Sequence, residues 1–79
     1  MKATIYIRLK TEVLDPQGQA IESALKNLGE QNINNVRQGK LIEMDIEAKN
    51  QEDAEEKIKR ITKSLLANTV IEEYSIEIS

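Results

Sequence analysis

The stretch LIEMDIEAKNQEDAEEKIKRITKSL, Leu41 to Leu65, decides the fold, because its apolar period changes partway along. Ile42, Met44, Ile46 and Ala48 alternate with Leu41, Glu43, Asp45 and Glu47, the two-residue period of a strand with one buried face. From Ala54 the apolar spacing becomes four, three and four, through Ile58, Ile61 and Leu65, which draws a narrow stripe along one side of a helix. Asn50, followed three residues later by Asp53, has the form of a capping pair at the start of that helix, and Asn68 is placed to close its end. A strand that leads directly into an amphipathic helix predicts a sheet layered against helices.

Working towards the N-terminus, Gln38-Gly39 reads as a turn, and a short strand near Ile33 to Arg37 precedes it, so these two strands form a hairpin. Before that strand, Asp15 as N-cap and Pro16 at the first helical position start a helix that runs to Gly29, whose lack of a side chain suits a left-handed terminus. Ala20, Ile21, Ala24, Leu25 and Leu28 share one side of this helix, and Gln19, Glu22, Ser23, Lys26 and Asn27 lie opposite. The first strand is Lys2 to Lys10, with Ala3, Ile5, Ile7 and Leu9 on one face. The last, Val70 to Ile78, puts Tyr74, Ile76 and Ile78 on one face. The order β-α-β-β-α-β predicts an α+β protein: a ferredoxin-like two-layer sandwich, one domain over residues 1–79, with both helices on one face of an antiparallel sheet. That topology sets the first and third strands side by side, so Lys2, Arg8 and Lys10 face Glu43, Asp45 and Glu47 on the uncovered side.

Composition narrows function further. The 79 residues include no His and no Cys, which removes disulfides, thiolate nucleophiles, thiolate metal sites and the commonest general base. Eleven Lys and Arg against 14 Asp and Glu, without clustering, argue against a nucleic-acid or membrane-coating role. No apolar run is long enough for a signal peptide or a membrane span, so the expected location is the cytoplasm. With only two aromatics, Tyr6 and Tyr74, the core is aliphatic and thin, which makes a second subunit the expected source of extra burial. RNA stacking on the sheet would need more aromatics than Tyr6. A phosphate-cradling loop would need a glycine in Lys10-Thr11-Glu12-Val13. The carboxylates on the strands read as solvated faces, and no metal or cofactor is expected on this chain.

Two segments carry more than secondary structure requires. In Asn35-Val36-Arg37-Gln38-Gly39-Lys40, Arg37 and Lys40 flank a turn and could hold an anion or a partner carboxylate; the plainer reading is a charged hairpin tip. In Leu65 to Tyr74, Leu66 lies off the helix stripe and Ile71 faces away from the core side of its strand, which suggests a subunit contact or satellite packing.

With those segments the sequence resembles the PurS family, the small subunit of phosphoribosylformylglycinamidine synthase. The resemblance rests on Val13-Leu14-Asp15-Pro16-Gln17-Gly18, on Ala24-Leu25 to Leu28-Gly29, on Val36-Arg37-Gln38-Gly39-Lys40 and on Leu65-Leu66-Ala67-Asn68-Thr69-Val70-Ile71-Glu72-Glu73-Tyr74, in that order along essentially the whole chain. One departure is Glu30, where the family usually carries an aromatic. The resemblance implies a non-catalytic subunit of a purine-biosynthetic ligase. It implies that the chain forms a homodimer or a tetramer, extends its sheet by dimerisation, and bridges a PurQ-type glutaminase and an ATP-dependent PurL-type synthetase. ATP, Mg and glutamine would then be used on the other subunits. Carried over from the motifs, the contact residues are Arg37, Gly39, Lys40, Asn68, Thr69, Val70, Ile71, Glu72 and Tyr74. The rival reading is a small ACT-like regulatory domain that binds an amino acid between subunits; it commonly has a glycine turn after its first strand, which Lys10 to Pro16 lacks.

Overall fold

The computed structural model describes residues 1–79. Its elements are β1 (Lys2–Leu9), α1 (Pro16–Asn27), β2 (Gly39–Asp45), α2 (Gln51–Ile61), a π-turn at Thr62–Leu66 and β3 (Glu72–Ile78). The three strands form an antiparallel sheet in the order β2-β1-β3. Thus β2, the expected third strand, lies beside β1 as the ferredoxin-like order requires, and the ladder pairs Ile5 with Ile42 on one side and with Ile76 on the other.

The expected burial pattern holds for the sheet. Ala3, Ile5 and Ile7 are buried on one face of β1 and meet Ile58 and Ala67, with Ile42, Met44, Tyr74 and Ile76 half-buried around them. On the other face, Lys2 pairs with Glu43 as the charge pattern predicts. Arg8 instead reaches across to β3, its Nε 2.7 Å from Glu73 Oε1. Register explains that choice, since Arg8 stands directly opposite Glu73 on β3 but opposite Gly39, which has no side chain, on β2.

Helix ends follow local chemistry. Asp15 caps α1 by accepting the Gly18 N–H at 3.0 Å, and Asn50 caps α2 by accepting the Asp53 N–H at 2.8 Å. Gly29 has φ +92°, and the N–H groups of Gly29 and Glu30 donate to Lys26 and Leu25 carbonyls, the paired bonds of a left-handed helix terminus.

Three particulars differ from expectation. The second strand, Ile33 to Arg37, is not formed, because the Val36 N–H donates to Glu22 Oε1 and the Gln38 N–H to Asp15 Oδ2 rather than to a neighbouring strand. The apolar side of α1 does not enter the core: no α1 residue belongs to the core cluster, Ile21 is 40% exposed and Leu28 78%. Only α2 therefore lies against the sheet of its own chain, where it packs on β3. The third difference is a shift of the helix stripe by one residue. The buried positions run Ala54, Ile58, Thr62, Ala67, and the final step of five matches the π-turn bond from the Ala67 N–H to the Thr62 carbonyl at 2.9 Å. As a result Leu66 packs on the core and Leu65 is 79% exposed, the reverse of the expected assignment.

The molecule is correspondingly long. Its largest extent is 51 Å, close to an eight-residue strand of about 26 Å followed by a twelve-residue helix of about 18 Å. The radius of gyration is 16.0 Å, against about 12 Å for a compact chain of this length.

Candidate interaction site at one end of the sheet

Because both outer strands run antiparallel to β1, the end of β1 and the starts of β2 and β3 lie at the same end of the sheet. This brings together the two segments singled out from the sequence, Arg37 to Lys40 and Asn68 to Tyr74. Lys40, Ile7 and Tyr74 form one cross-strand row, and Lys40 Nζ lies 3.8 Å from Glu72 Oε2 across β1. An open groove of about 640 Å³ runs over this end, lined in part by Arg8, Arg37, Lys40, Glu73 and Tyr74.

Asn68 to Ile71 form a tight turn stabilised from both sides. The Asn68 N–H donates to Glu72 Oε1 at 2.6 Å, Asn68 Oδ1 accepts from the Val70 N–H at 3.1 Å, and the Asn68 carbonyl accepts from Ile71 and Glu72. Asn68 is therefore a turn residue rather than the last cap of α2. The turn holds Thr69 and Val70 outward, and Val70 is 78% exposed. Ile71, 39% exposed, is anchored by its carbonyl, which accepts the Lys10 N–H at 2.9 Å. Gly39 is set by space: a Cβ there would lie 2.7 Å from the Ile7 carbonyl oxygen.

Arg37 has an internal role that its charge did not announce. Its Nη2 donates to the carbonyls of Lys10 and Val13, each at 2.9 Å, which ties the start of β2 to the loop leaving β1. Asp15 completes the tie. It is 4% exposed and accepts both the Gly18 and the Gln38 N–H. The Gln38 and Gly18 amides, with the Arg37 charge, hold its carboxyl below the usual range against the opposing effect of burial. The Glu22 carboxyl is likewise lowered, first by the Val36 N–H and then by Lys26. Gly18 admits this packing only because it lacks a side chain, since a Cβ would come within 2.2 Å of the Val36 carbonyl oxygen. Sequence reasoning read Asp15 only as a cap and Glu22 only as a solvent-facing residue; bonds to amides 14 and 23 residues away leave no local signature.

On the sheet's uncovered face, Tyr6 donates to Glu77 Oε2 at 3.2 Å, and that carboxylate raises the phenol's pKa. No group of three or more His, Cys, Asp or Glu side chains is arranged to hold a metal ion. No helix is long and apolar enough to cross a membrane.

A ferredoxin-like sheet whose distinguishing feature is a loop cluster gathered at one end defines a small protein built to make contacts. The chain belongs to the PurS family: the family described as "PurS: Phosphoribosylformylglycinamidine (FGAM) synthase" matches residues 2–79. A Mycobacterium leprae protein named phosphoribosylformylglycinamidine synthase subunit PurS is 48% identical over 75 residues, covering 95% of this chain and 91% of its own. The crystal structure of PurS from Methanocaldococcus jannaschii, one of the subunits of formylglycinamide ribonucleotide amidotransferase, superimposes with a TM-score of 0.90 at 41% identity, covering 99% of this chain and 94% of that one. A chain in the structure of PurLQS from Thermotoga maritima matches with a TM-score of 0.88 at 36% identity, over 96% of this chain and 93% of that one.

Proposed function

We propose that this chain is the non-catalytic small subunit of phosphoribosylformylglycinamidine synthase in purine biosynthesis, acting as one domain in the cytoplasm. It pairs with a second copy and bridges a PurQ-type glutaminase and a PurL-type synthetase. ATP, Mg and glutamine are then handled by those partners. The observation that carries this reading is family membership over residues 2–79, and the T. maritima relative found within a PurLQS structure supports the choice of partners.

The chemistry gives such a subunit a purpose. Ammonia released into water near neutral pH is mostly ammonium, which is not a nucleophile, so a scaffold that holds the releasing and accepting sites together raises the effective concentration of the reactive form. The sheet end is the contact surface in this reading. Lys40, Thr69, Val70 and Tyr74 offer one charged, one hydroxyl, one aliphatic and one aromatic group there. Arg37, Gly39, Asn68, Ile71 and Glu72 hold the loops that present them.

Reconstitution of the glutaminase and synthetase with and without this chain tests the proposal. Addition of the chain is expected to raise glutamine-dependent turnover at least about tenfold, on the scale of an effective-concentration gain, while ammonium-dependent turnover changes little. Lys40→Glu should reduce the gain without unfolding the chain, because Lys40 is exposed and its one ion pair is long. If neither rate responds and the three chains do not co-elute, the bridging reading is wrong.

A further inference from the structure

Alternation places Thr4, Tyr6 and Arg8 of β1 on the outer face of the sheet, away from the core residues Ala3, Ile5 and Ile7. The register sets Tyr6 between Leu41 and Ser75, Arg8 between Gly39 and Glu73, and Thr4 between Glu43 and Glu77. A sheet face left to water is ordinarily polar. The centre of this one is not: Tyr6 is 41% and Leu41 51% exposed. A cross-strand contact accounts for the pairing of these two residues but not for the surface that each leaves in water. The groove of about 640 Å³ at the sheet end continues onto this face, past Gly39, which has no side chain, and Ser75, which has a short one. Both tyrosines of the chain and two of its three arginines, Arg8 and Arg37, line it. These residue types carry much of the energy at protein–protein contacts. Two of them are already fixed, since Arg8 Nε donates to Glu73 at 2.7 Å and the Tyr6 hydroxyl to Glu77 at 3.2 Å, which leaves little ordering for a partner to impose.

We propose that the outer face of the sheet is a docking surface for a protein partner whose contact patch is apolar at its centre and carries Lys or Arg on the side that meets Asp45 and Glu77. This rests on the bridging reading above and adds a surface on which one of the two synthase partners sits. Charge selects that chemistry. The strands present Lys2 and Arg8 on this face against Glu43, Asp45, Glu73 and Glu77, so the face is net negative and repels nucleic acid or an anionic membrane. Both cations are already paired, Lys2 with Glu43 and Arg8 with Glu73, whereas Asp45 and Glu77 have no cation within ion-pair distance. A second copy of this face therefore supplies no free cation, and a basic rim on a different protein does. The groove also makes the face continuous with the sheet end, so a partner that grips Lys40 and Tyr74 there runs on over Tyr6 and Leu41.

Binding of the full chain to the synthetase and to the glutaminase, each immobilised alone and then together, is measured by interferometry at low and high salt. Leu41→Lys is expected to weaken binding to one of the two partners about tenfold or more, with the circular dichroism of the chain unchanged. Leu41→Thr, which suits a strand, repeats the test without a charge and is expected to cost about threefold. Asp45→Asn should slow association with the same partner about threefold at low salt and leave it unchanged at high salt. Glu56→Gln removes the same charge from the exposed side of α2 and should have no effect. If the Leu41 and Asp45 variants bind both partners like the parent while Lys40→Glu does not, the face is merely solvated, and the docking surface is overturned with the bridging reading intact. Equal slowing by Asp45→Asn and Glu56→Gln would reduce the effect to net charge and overturn it too. A fall in the chain's own mass by light scattering in Leu41→Lys, with partner affinity unchanged, would assign the face to a second copy and likewise overturn it. A parent chain that binds neither partner, alone or together, overturns the bridging reading itself.

Discussion

Thr62 is the one residue whose burial and chemistry disagree. It is fully buried, and its Oγ1 finds no hydrogen-bond partner, a situation that costs on the order of 1–3 kcal/mol in a protein interior. Thr62 follows Ala54 and Ile58 at the four-residue spacing of α2, which turns it inward, and its backbone carbonyl, not its hydroxyl, serves the π-turn by accepting from Ala67. Thr62→Val keeps the shape and removes the orphan hydroxyl. It is expected to raise the thermal midpoint by about 4–8 °C per kcal/mol recovered, at fixed protein concentration. Thr62→Ala should lower it by leaving a gap beside Ile58. A midpoint unchanged or lowered in the valine variant would mean that the hydroxyl is satisfied. Residues whose partners are local, such as Asp15 at Gly18, Asn50 at Asp53 and Gly29 at the end of α1, were legible in the sequence. Thr62 was not, because the apolar stripe reads through Ile61 and Leu65, and a threonine four residues after Ile58 carries no apolar signal of its own burial.

At the scale of elements, the sheet and α2 were legible and the placing of α1 was not. Alternation in β1, β2 and β3 and the stripe of α2 follow from neighbours two to four residues apart. The path of residues 30–38 is set instead by two carboxylates of another element, and they replace a strand ladder with side-chain bonds to Val36 and Gln38. The candidate contact residues divide the same way: their clustering follows from the antiparallel order, but the tying role of Arg37 depends on two carbonyls more than 20 residues away. The tie is pH-sensitive in a defined sense. Asp15 and Glu22 have folded pKa values below the ordinary 3.8 and 4.5, so the unfolded or released state takes up protons first as pH falls. Their stabilisation is complete above those ordinary values and is lost as pH falls through the depressed ones. Amide protection at Gly18, Val36 and Gln38 is therefore expected to fall below about pH 4, before protection in the β1–β3 ladder does, as hydrogen exchange resolved by residue would show. Loss of both sets at the same pH would mean that the tie opens only with the whole fold.

At the scale of the whole molecule, the question is where a chain with nine buried residues out of 79 obtains its stability. A core cluster of five residues is small for a domain that orders two helices and three strands, and the exposed apolar side of α1 adds nothing while the chain is alone. A shared interface resolves this, and it makes stability depend on mass action. If folding is coupled to pairing, each tenfold rise in protein concentration adds about 1.4 kcal/mol per dimer and lifts the midpoint by about 3–6 °C. Two substitutions separate the contributions. Ile58→Ala removes a fully buried side chain from the chain's own core, costs about 2–5 kcal/mol, and should lower the midpoint at every concentration while preserving its slope. Leu28→Glu touches no core residue and should leave a lower midpoint that no longer responds to concentration. Differential scanning calorimetry over a hundredfold range of concentration distinguishes these patterns. A flat wild-type profile would show that the thin core suffices without a partner, whereas a slope kept by Leu28→Glu would place the pairing surface away from α1.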